Sequence, residues 1–217
     1  MSKAMFHRIL NALLGTALLA AAASELSGQT VPSGGKEQVD KLIAVLKSDA
    51  SHKEKADACR ALAVVGTREA VPVLAALLAD EKLSHMARYA LEPIPDPSVD
   101  QALREASGRL RGRPLVGVIG SIGVRHDAKA VGALSRLLRD ADPDVAQAAA
   151  RALGSIGTAE AAKAIQDALP GSPAGNQLAF CEGLFRCAET LAAKGEPTQA
   201  LAIYDHLRSL KLSLIHI

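Results

Sequence analysis

An apolar phrase that recurs along the chain constrains its fold more than any other feature. Residues 61–70 return as residues 152–161 with six of ten positions identical. Four apolar positions can be taken as equivalent, at steps of 29, 28 and 34 residues: Leu62, Leu91, Ile119 and Leu153. Repetition at this period predicts an α-solenoid, because each helical pair buries its apolar face against the pairs beside it.

Within the repeats the spacing of apolar residues is helical. From Glu37 onward they recur at i, i+3, i+4 and i+7, which predicts an all-α body. Helices are predicted over residues 52–65, 143–156 and about 98–108. Each of the last two follows an aspartate that caps the helix and a proline that starts it: Asp142-Pro143 and Asp96-Pro97.

Glycine and threonine separate the two helices of the best-preserved units. Gly66 and Gly157 are each predicted to end a helix in the left-handed conformation, which glycine adopts at little cost. Thr67 and Thr158 follow them, and each is predicted to cap the next helix with its hydroxyl oxygen.

The two middle units depart from this pattern. Three prolines at the turn of the second unit predict a rigid bend or offset: Pro93, Pro95 and Pro97. Three glycines in one helix of the third unit are expected to weaken it or to let a neighbour approach closely: Gly117, Gly120 and Gly123. We also expect the turn at residues 124–127 to be longer than the others.

An Arg-Ala-Leu triplet with a following glycine marks the units, as in Arg60-Ala61-Leu62 before Gly66 and Arg151-Ala152-Leu153 before Gly157. Arg88 matches this mark in part, and the third unit has Gly117 in place of the arginine. In this respect residues 37–170 resemble HEAT repeats, in particular the short variety found in bacterial proteins and in phycobilin lyase-type subunits. The resemblance implies a superhelix of helical pairs and says little about activity.

Residues 176–211 carry a different pattern. A glycine followed by Ala200-Leu201-Ala202-Ile203-Tyr204 resembles half of a tetratricopeptide repeat. The Pro- and Gly-rich residues 170–175 separate this part from the HEAT-like part. We expect a further helical pair on the same stack.

The first 23 residues have the layout of a secretory signal peptide. Lys3 and Arg8 precede an apolar run that ends in the alanines of residues 20–23. Residues 24–36 are expected to be a flexible linker. The protein is therefore expected to be exported, to the periplasm or the extracellular space, without a stable membrane anchor after cleavage. The alternative is a buried first helix of the solenoid.

The C-terminal tail fits neither repeat pattern. Residues 212–217 are largely apolar and are expected to be non-native, because they look like translated sequencing-adapter sequence. On this interpretation the chain is a fragment. The alternative is a natural apolar C-terminus that docks on the last helical pair.

Composition narrows the classes of partner. Only five residues are aromatic, and the whole net charge of +2 comes from Lys3 and Arg8, so the rest of the chain is neutral. A nucleic-acid partner is therefore not expected.

Cys181 and Cys187 lie six residues apart on one predicted helix and should face different directions. The cysteines are expected to be small buried hydrophobic residues, although a long-range disulfide of Cys59 with one of the others remains open.

No motif of enzyme chemistry stands out, so we predict no catalytic, cofactor-binding or metal-binding residue and no cofactor. None of the six histidines has a histidine partner at i+3 or i+4. Arg60, Arg88 and Arg151 recur at or near one repeat position, where they would either bind carboxylate or phosphate or pair with acids of the adjacent repeat.

The function expected from this sequence is that of a non-catalytic scaffold, an exported module whose concave face binds a protein partner. A bilin lyase-like enzyme subunit is one alternative, and the resemblance is its only basis. The other is the helical part of a larger exported enzyme whose catalytic domain is missing from this chain.

Overall fold

The structure is a computed structural model and describes residues 33–210. The predicted signal peptide at residues 1–23 and the expected non-native tail at 212–217 lie outside the described residues, as does the linker up to residue 32. The chain divides after Glu37, and the described residues from Gln38 onward form one compact unit.

Helices make up almost all of the described part, which contains no strand. The α-helices are α1 (Ser33–Lys47), α2 (His52–Val65), α3 (Val71–Ala76), α4 (Ser84–Leu91), α5 (Pro97–Arg109), α6 (Gly112–Val124), α7 (Val131–Leu137), α8 (Pro143–Ile156), α9 (Ala159–Ala168), α10 (Ala174–Ala193) and α11 (Pro197–Ser209). Short 3₁₀ turns flank α3 and precede α7.

The helices from α2 onward form an α-solenoid, as predicted. Helices α2, α4, α6, α8 and α10 pack one against the next and form a first row, while α3 packs on α5 and α7 on α9 in a second row. The four apolar positions that define the repeat each lie in a first-row helix and are fully buried: Leu62, Leu91, Ile119 and Leu153. The predicted equivalence is therefore confirmed, and the last pair, α10 and α11, continues the stack.

The boundaries of α8 are those that the sequence predicts. Asp142 accepts a hydrogen bond from the Asp144 amide, and Pro143 starts the helix. Gly157 ends it in the left-handed conformation, with φ of 64°. The Thr158 hydroxyl then accepts a hydrogen bond from the Ala161 amide at 3.1 Å and caps α9.

The corresponding turn of the first unit differs, and the prediction for Gly66 is wrong. Gly66 is extended, with φ of −64° and ψ of 142°. Its lack of a side chain matters for packing instead, since a Cβ atom there would lie 2.2 Å from the Leu62 carbonyl oxygen of α2 and 3.1 Å from Ile94 Cδ1 of the next unit. Thr67 caps nothing with its side chain; its hydroxyl hydrogen bonds to Glu69.

An arginine clamp holds the proline-rich turn between α4 and α5. Pro93 and Pro95 have no amide hydrogen to donate, so only the amides of Glu92, Ile94 and Asp96 donate backbone hydrogen bonds in this turn. Arg125, from the turn of the next unit, donates through Nη1 to the carbonyl oxygens of Glu92 and Ile94, both at 2.8 Å. Its Nε donates to the Asp100 carboxylate.

Glycines bring the first-row helices into backbone contact. A Cβ on Gly123 of α6 would lie 2.9 Å from Ala152 Cα of α8. A Cβ on Gly154 of α8 would lie 2.7 Å from Gly183 Cα of α10. The close approach that was expected for the third-unit glycines is thus seen at Gly123, whereas Gly120 faces open space.

Candidate anion-binding groove

The three repeated arginines have different partners. Arg60 pairs with Asp57 on its own helix, α2, where both side chains are largely exposed. Arg151 of α8 pairs with Glu182 of α10 at 3.0 Å, so one arginine does meet an acid of the adjacent repeat. Arg88 differs from both, because no ion pair of the described residues includes it.

Arg88 lies beside an open groove between the start of α4 and the start of α6. The groove has a volume of about 670 Å³. It is lined by Glu81, Lys82, Ser84, His85, Arg88, Arg111, Gly112, Arg113 and Pro114. Four of these residues carry a permanent positive charge and one a negative charge, so the groove is far more basic than the chain as a whole.

The Arg88 side chain is half-buried and only partly satisfied. Its Nη1 donates to the Gly117 carbonyl oxygen at 3.3 Å, and its buried Nε has no hydrogen-bond partner. Burial lowers the pKa of the guanidinium, and the charge of Glu92 raises it. A Cβ at Gly117 would lie 2.6 Å from Arg88 Nε, so the glycine in the third unit makes the room that this arginine occupies.

The first turn of α6 carries cations where a helix favours anions. Arg111 stands at the cap position without a side-chain cap, Gly112 has φ of 57°, and Arg113 follows. No acidic residue lies in this turn. Because the helix dipole places partial positive charge and free amide groups at this end, the two arginines add to a positive potential rather than offset it.

Ser84 contributes a buried hydroxyl on the α4 side of the groove. The residue is 6% exposed, and its Oγ has no hydrogen-bond partner in the described part of the chain. Burial of a hydroxyl without a hydrogen-bond partner is unfavourable compared with leaving it hydrated. Ser84 Oγ and Arg88 Nε are thus two buried polar atoms without a hydrogen-bond partner in residues that line the groove.

Only Arg88 of this set was singled out from the sequence. The other permanently charged basic residues lie outside the repeated phrase: Lys82 just before α4, Arg111 just before α6, and Arg113 in the first turn of α6. A signal for them does exist, since Arg111-Gly112-Arg113-Pro114 is a basic segment at a helix start without an acidic residue. The repeat pattern alone does not show that it lies opposite Arg88.

Other chemistry-bearing residues lie apart from the groove. The cysteines Cys59, Cys181 and Cys187 are buried free thiols, so the long-range disulfide left open by the sequence is not formed. Burial raises the pKa of Cys59 to about 11 and that of Cys187 to about 12.

Within residues 33–210 no three His, Cys, Asp or Glu side chains converge as metal ligands. None of the helices described is both long and apolar enough to span a bilayer.

Comparison with known families supports the repeat assignment. Residues 115–182 match the family model of HEAT repeats. The resemblance seen in the sequence is thereby confirmed for residues 115–170, and the match continues to residue 182, into the part that the sequence pattern sets apart as a further helical pair. A crystal structure of an engineered protein from a structural genomics consortium is similar, with a TM-score of 0.49 and 21% identity, over 79% of this chain and 96% of its own. None of the curated proteins matches the chain.

Proposed function

We propose that this HEAT-like solenoid is a non-catalytic scaffold that binds a protein partner along its first row of helices. The observation that carries the proposal is where large apolar side chains are exposed. Six large apolar side chains are exposed in the described part of the chain. Five lie on first-row helices, namely Val64, Tyr89, Val124, Leu178 and Phe185, and the sixth, Leu201, lies on α11. Exposed apolar side chains that recur along one row of helices favour an interaction surface, since solenoids bind partners over extended surfaces of this kind.

Affinity capture with matched variants tests this proposal. The wild-type protein should retain a partner from its native compartment, and Tyr89→Ser and Phe185→Ser should each lose it, because both remove exposed apolar area from the first row. Leu201→Ser is the matched control, since Leu201 is 61% exposed but lies on α11. Equal loss with all three variants, or turnover of a small molecule that depends on one polar residue, would contradict the proposal.

We further propose that the protein is exported. The basic start, the apolar run and the alanines at residues 20–23 support this. Mass spectrometry of protein made in a bacterium with two membranes should find a mature N-terminus near Ser24. Full-length protein in the cytosol, still carrying residues 1–23, would count against export.

A further inference from the structure

We propose that the groove between α4 and α6 binds an acidic peptide segment, a run of carboxylate side chains on the partner protein. The inference rests on the proposed scaffold function and names the chemistry by which one site recognises the partner. Three features carry it: the cluster of cations, the uncapped start of α6, and the buried hydroxyl of Ser84, which has no hydrogen-bond partner.

The positive charge of the groove favours the binding of an anion. Lys82, Arg88, Arg111 and Arg113 line it, and no ion pair among the described residues includes any of the four. Elsewhere on the first row the repeated arginines have carboxylate partners, as Arg60 and Arg151 do. The groove thus presents guanidinium groups, which bind carboxylates through paired hydrogen bonds; among the described residues none of them forms an ion pair, although the charge of Glu92 acts on Arg88.

The backbone at the start of α6 adds donors of the same kind. Gly112 and Arg113 occupy the first two helical positions, where amide hydrogens have no partner within a helix. Arg111, at the cap position, directs Nη1 to the neighbouring Leu110 carbonyl oxygen at 2.7 Å and leaves these amides uncapped. Two arginines at a helix start oppose the dipole, and a bound carboxylate would turn that unfavourable arrangement into a favourable one.

The size of the groove favours a peptide segment over a single small anion. Its volume of about 670 Å³ falls in the range of sites that hold ligands of many atoms, whereas one water molecule takes up about 30 Å³ of liquid. The cations are spread from the α4 side to the α6 side, so one oxyanion would contact only some of them. Several carboxylates on an extended chain would reach them all.

Fluorescence anisotropy with defined peptides tests the inference. The probes are a labelled ten-residue peptide of alternating Glu and Gly and the same peptide with Gln for Glu. The Glu peptide should bind wild-type protein, and its affinity should fall as salt rises. The double variant Arg111→Gln with Arg113→Gln should weaken binding about tenfold, because two charge-assisted contacts are lost. Arg88→Gln should weaken it as well.

The control removes the same charge elsewhere on the first row. Arg60→Gln with Arg151→Gln should change the affinity less than twofold. Arg111 and Arg113 are exposed, so their replacement should leave the helical circular dichroism unchanged and keep the test valid if Arg88→Gln fails to fold. Equal binding of the Gln peptide, or equal weakening by the control, would overturn the inference. So would pyrophosphate that binds in an Arg88-dependent manner while the Glu peptide does not bind, which would assign a phosphate ligand instead.

Failure here can be told apart from failure of the scaffold proposal. If the Glu peptide does not bind while Tyr89→Ser still abolishes partner capture, only the acidic-segment inference fails. If neither the peptide binds nor Tyr89→Ser matters, both are wrong.

Discussion

The arginine clamp on the proline-rich turn gives the sharpest test of how the units are joined. Arg125→Ala removes an ion pair with Asp100 and two hydrogen bonds of 2.8 Å to the carbonyl oxygens of Glu92 and Ile94. The Arg125 side chain is 12% exposed and that of Asp100 is 24% exposed. Water therefore replaces the lost contacts only in part, and the carboxylate and both carbonyls are left poorly solvated.

The size of the effect follows from these contacts. Removing one partner of a largely buried ion pair costs about 3 to 5 kcal/mol when the other charge stays behind. The partial exposure of Asp100 places this pair at the lower end, so we expect a loss of about 3 kcal/mol in the free energy of unfolding. That is a large share of the roughly 5–15 kcal/mol by which domains are stable.

Urea unfolding followed by circular dichroism measures the loss. Arg60→Ala is the control, because its pair with Asp57 lies on the surface within one helix and should contribute less than about 1 kcal/mol. A double-mutant cycle with Asp100→Ala should return a coupling energy of at least about 1 kcal/mol. If Arg125→Ala costs no more than Arg60→Ala, the clamp does not hold the turn and our reasoning about it is wrong.

Three further predictions concern the caps, the glycines and the thiols. Thr158→Ala should destabilise the protein by about 1 kcal/mol in urea unfolding, while Thr67→Ala should have almost no effect, because only Thr158 caps a helix. Gly123→Ala should lower the melting temperature, since its Cβ would meet the α8 backbone, whereas Gly120→Ala should raise it slightly; the opposite order would refute the backbone contact. Burial raises the pKa of the thiols of Cys59, Cys181 and Cys187, so at about pH 8 they should react with a disulfide reagent only after unfolding. Fast labelling of the native protein would contradict their burial.

Local signals in the sequence were enough to predict the repeat and many of the positions at which its helices begin and end. Leu62 and Leu153 lie in equivalent helices because the period of the apolar pattern is the period of the stack. The start of α5 at Pro97 and the start of α8 at Pro143 follow from an aspartate and a proline that act within one turn. Such features need no knowledge of the neighbouring units.

Features that depend on the neighbouring unit escaped prediction. Gly66-Thr67 and Gly157-Thr158 are identical in sequence, yet only the second pair ends and caps helices as expected. Gly66 packs near Ile94, which belongs to the proline-rich turn that only the second unit has, and the backbone there is extended. Arg125 likewise acts on a turn 29 to 33 residues away in sequence.

The candidate groove was hidden for the same reason. Except for Arg88, its residues lie in the first turns of α4 and α6 or just before them, outside the repeated phrase from which the repeat was predicted. In the sequence, Gly117 stands at the position where the best-preserved units have the repeated arginine. In the structure it is the residue that makes room for Arg88, so the departure from the pattern is part of the site.

The backbone contact between α8 and α10 also restricts how this array can evolve in length. A Cβ on Gly154 would meet the Gly183 backbone at 2.7 Å, and a Cβ on Gly183 would meet the Ala150 carbonyl oxygen at 2.5 Å, so neither position has room for a side chain. A duplicated unit inserted at this junction would need a small residue on both faces of its first helix, and a deletion would have to rejoin two equally matched faces. Gain or loss of units at this junction therefore requires several coordinated substitutions, and we expect the α8–α10 pair to be inherited as a block.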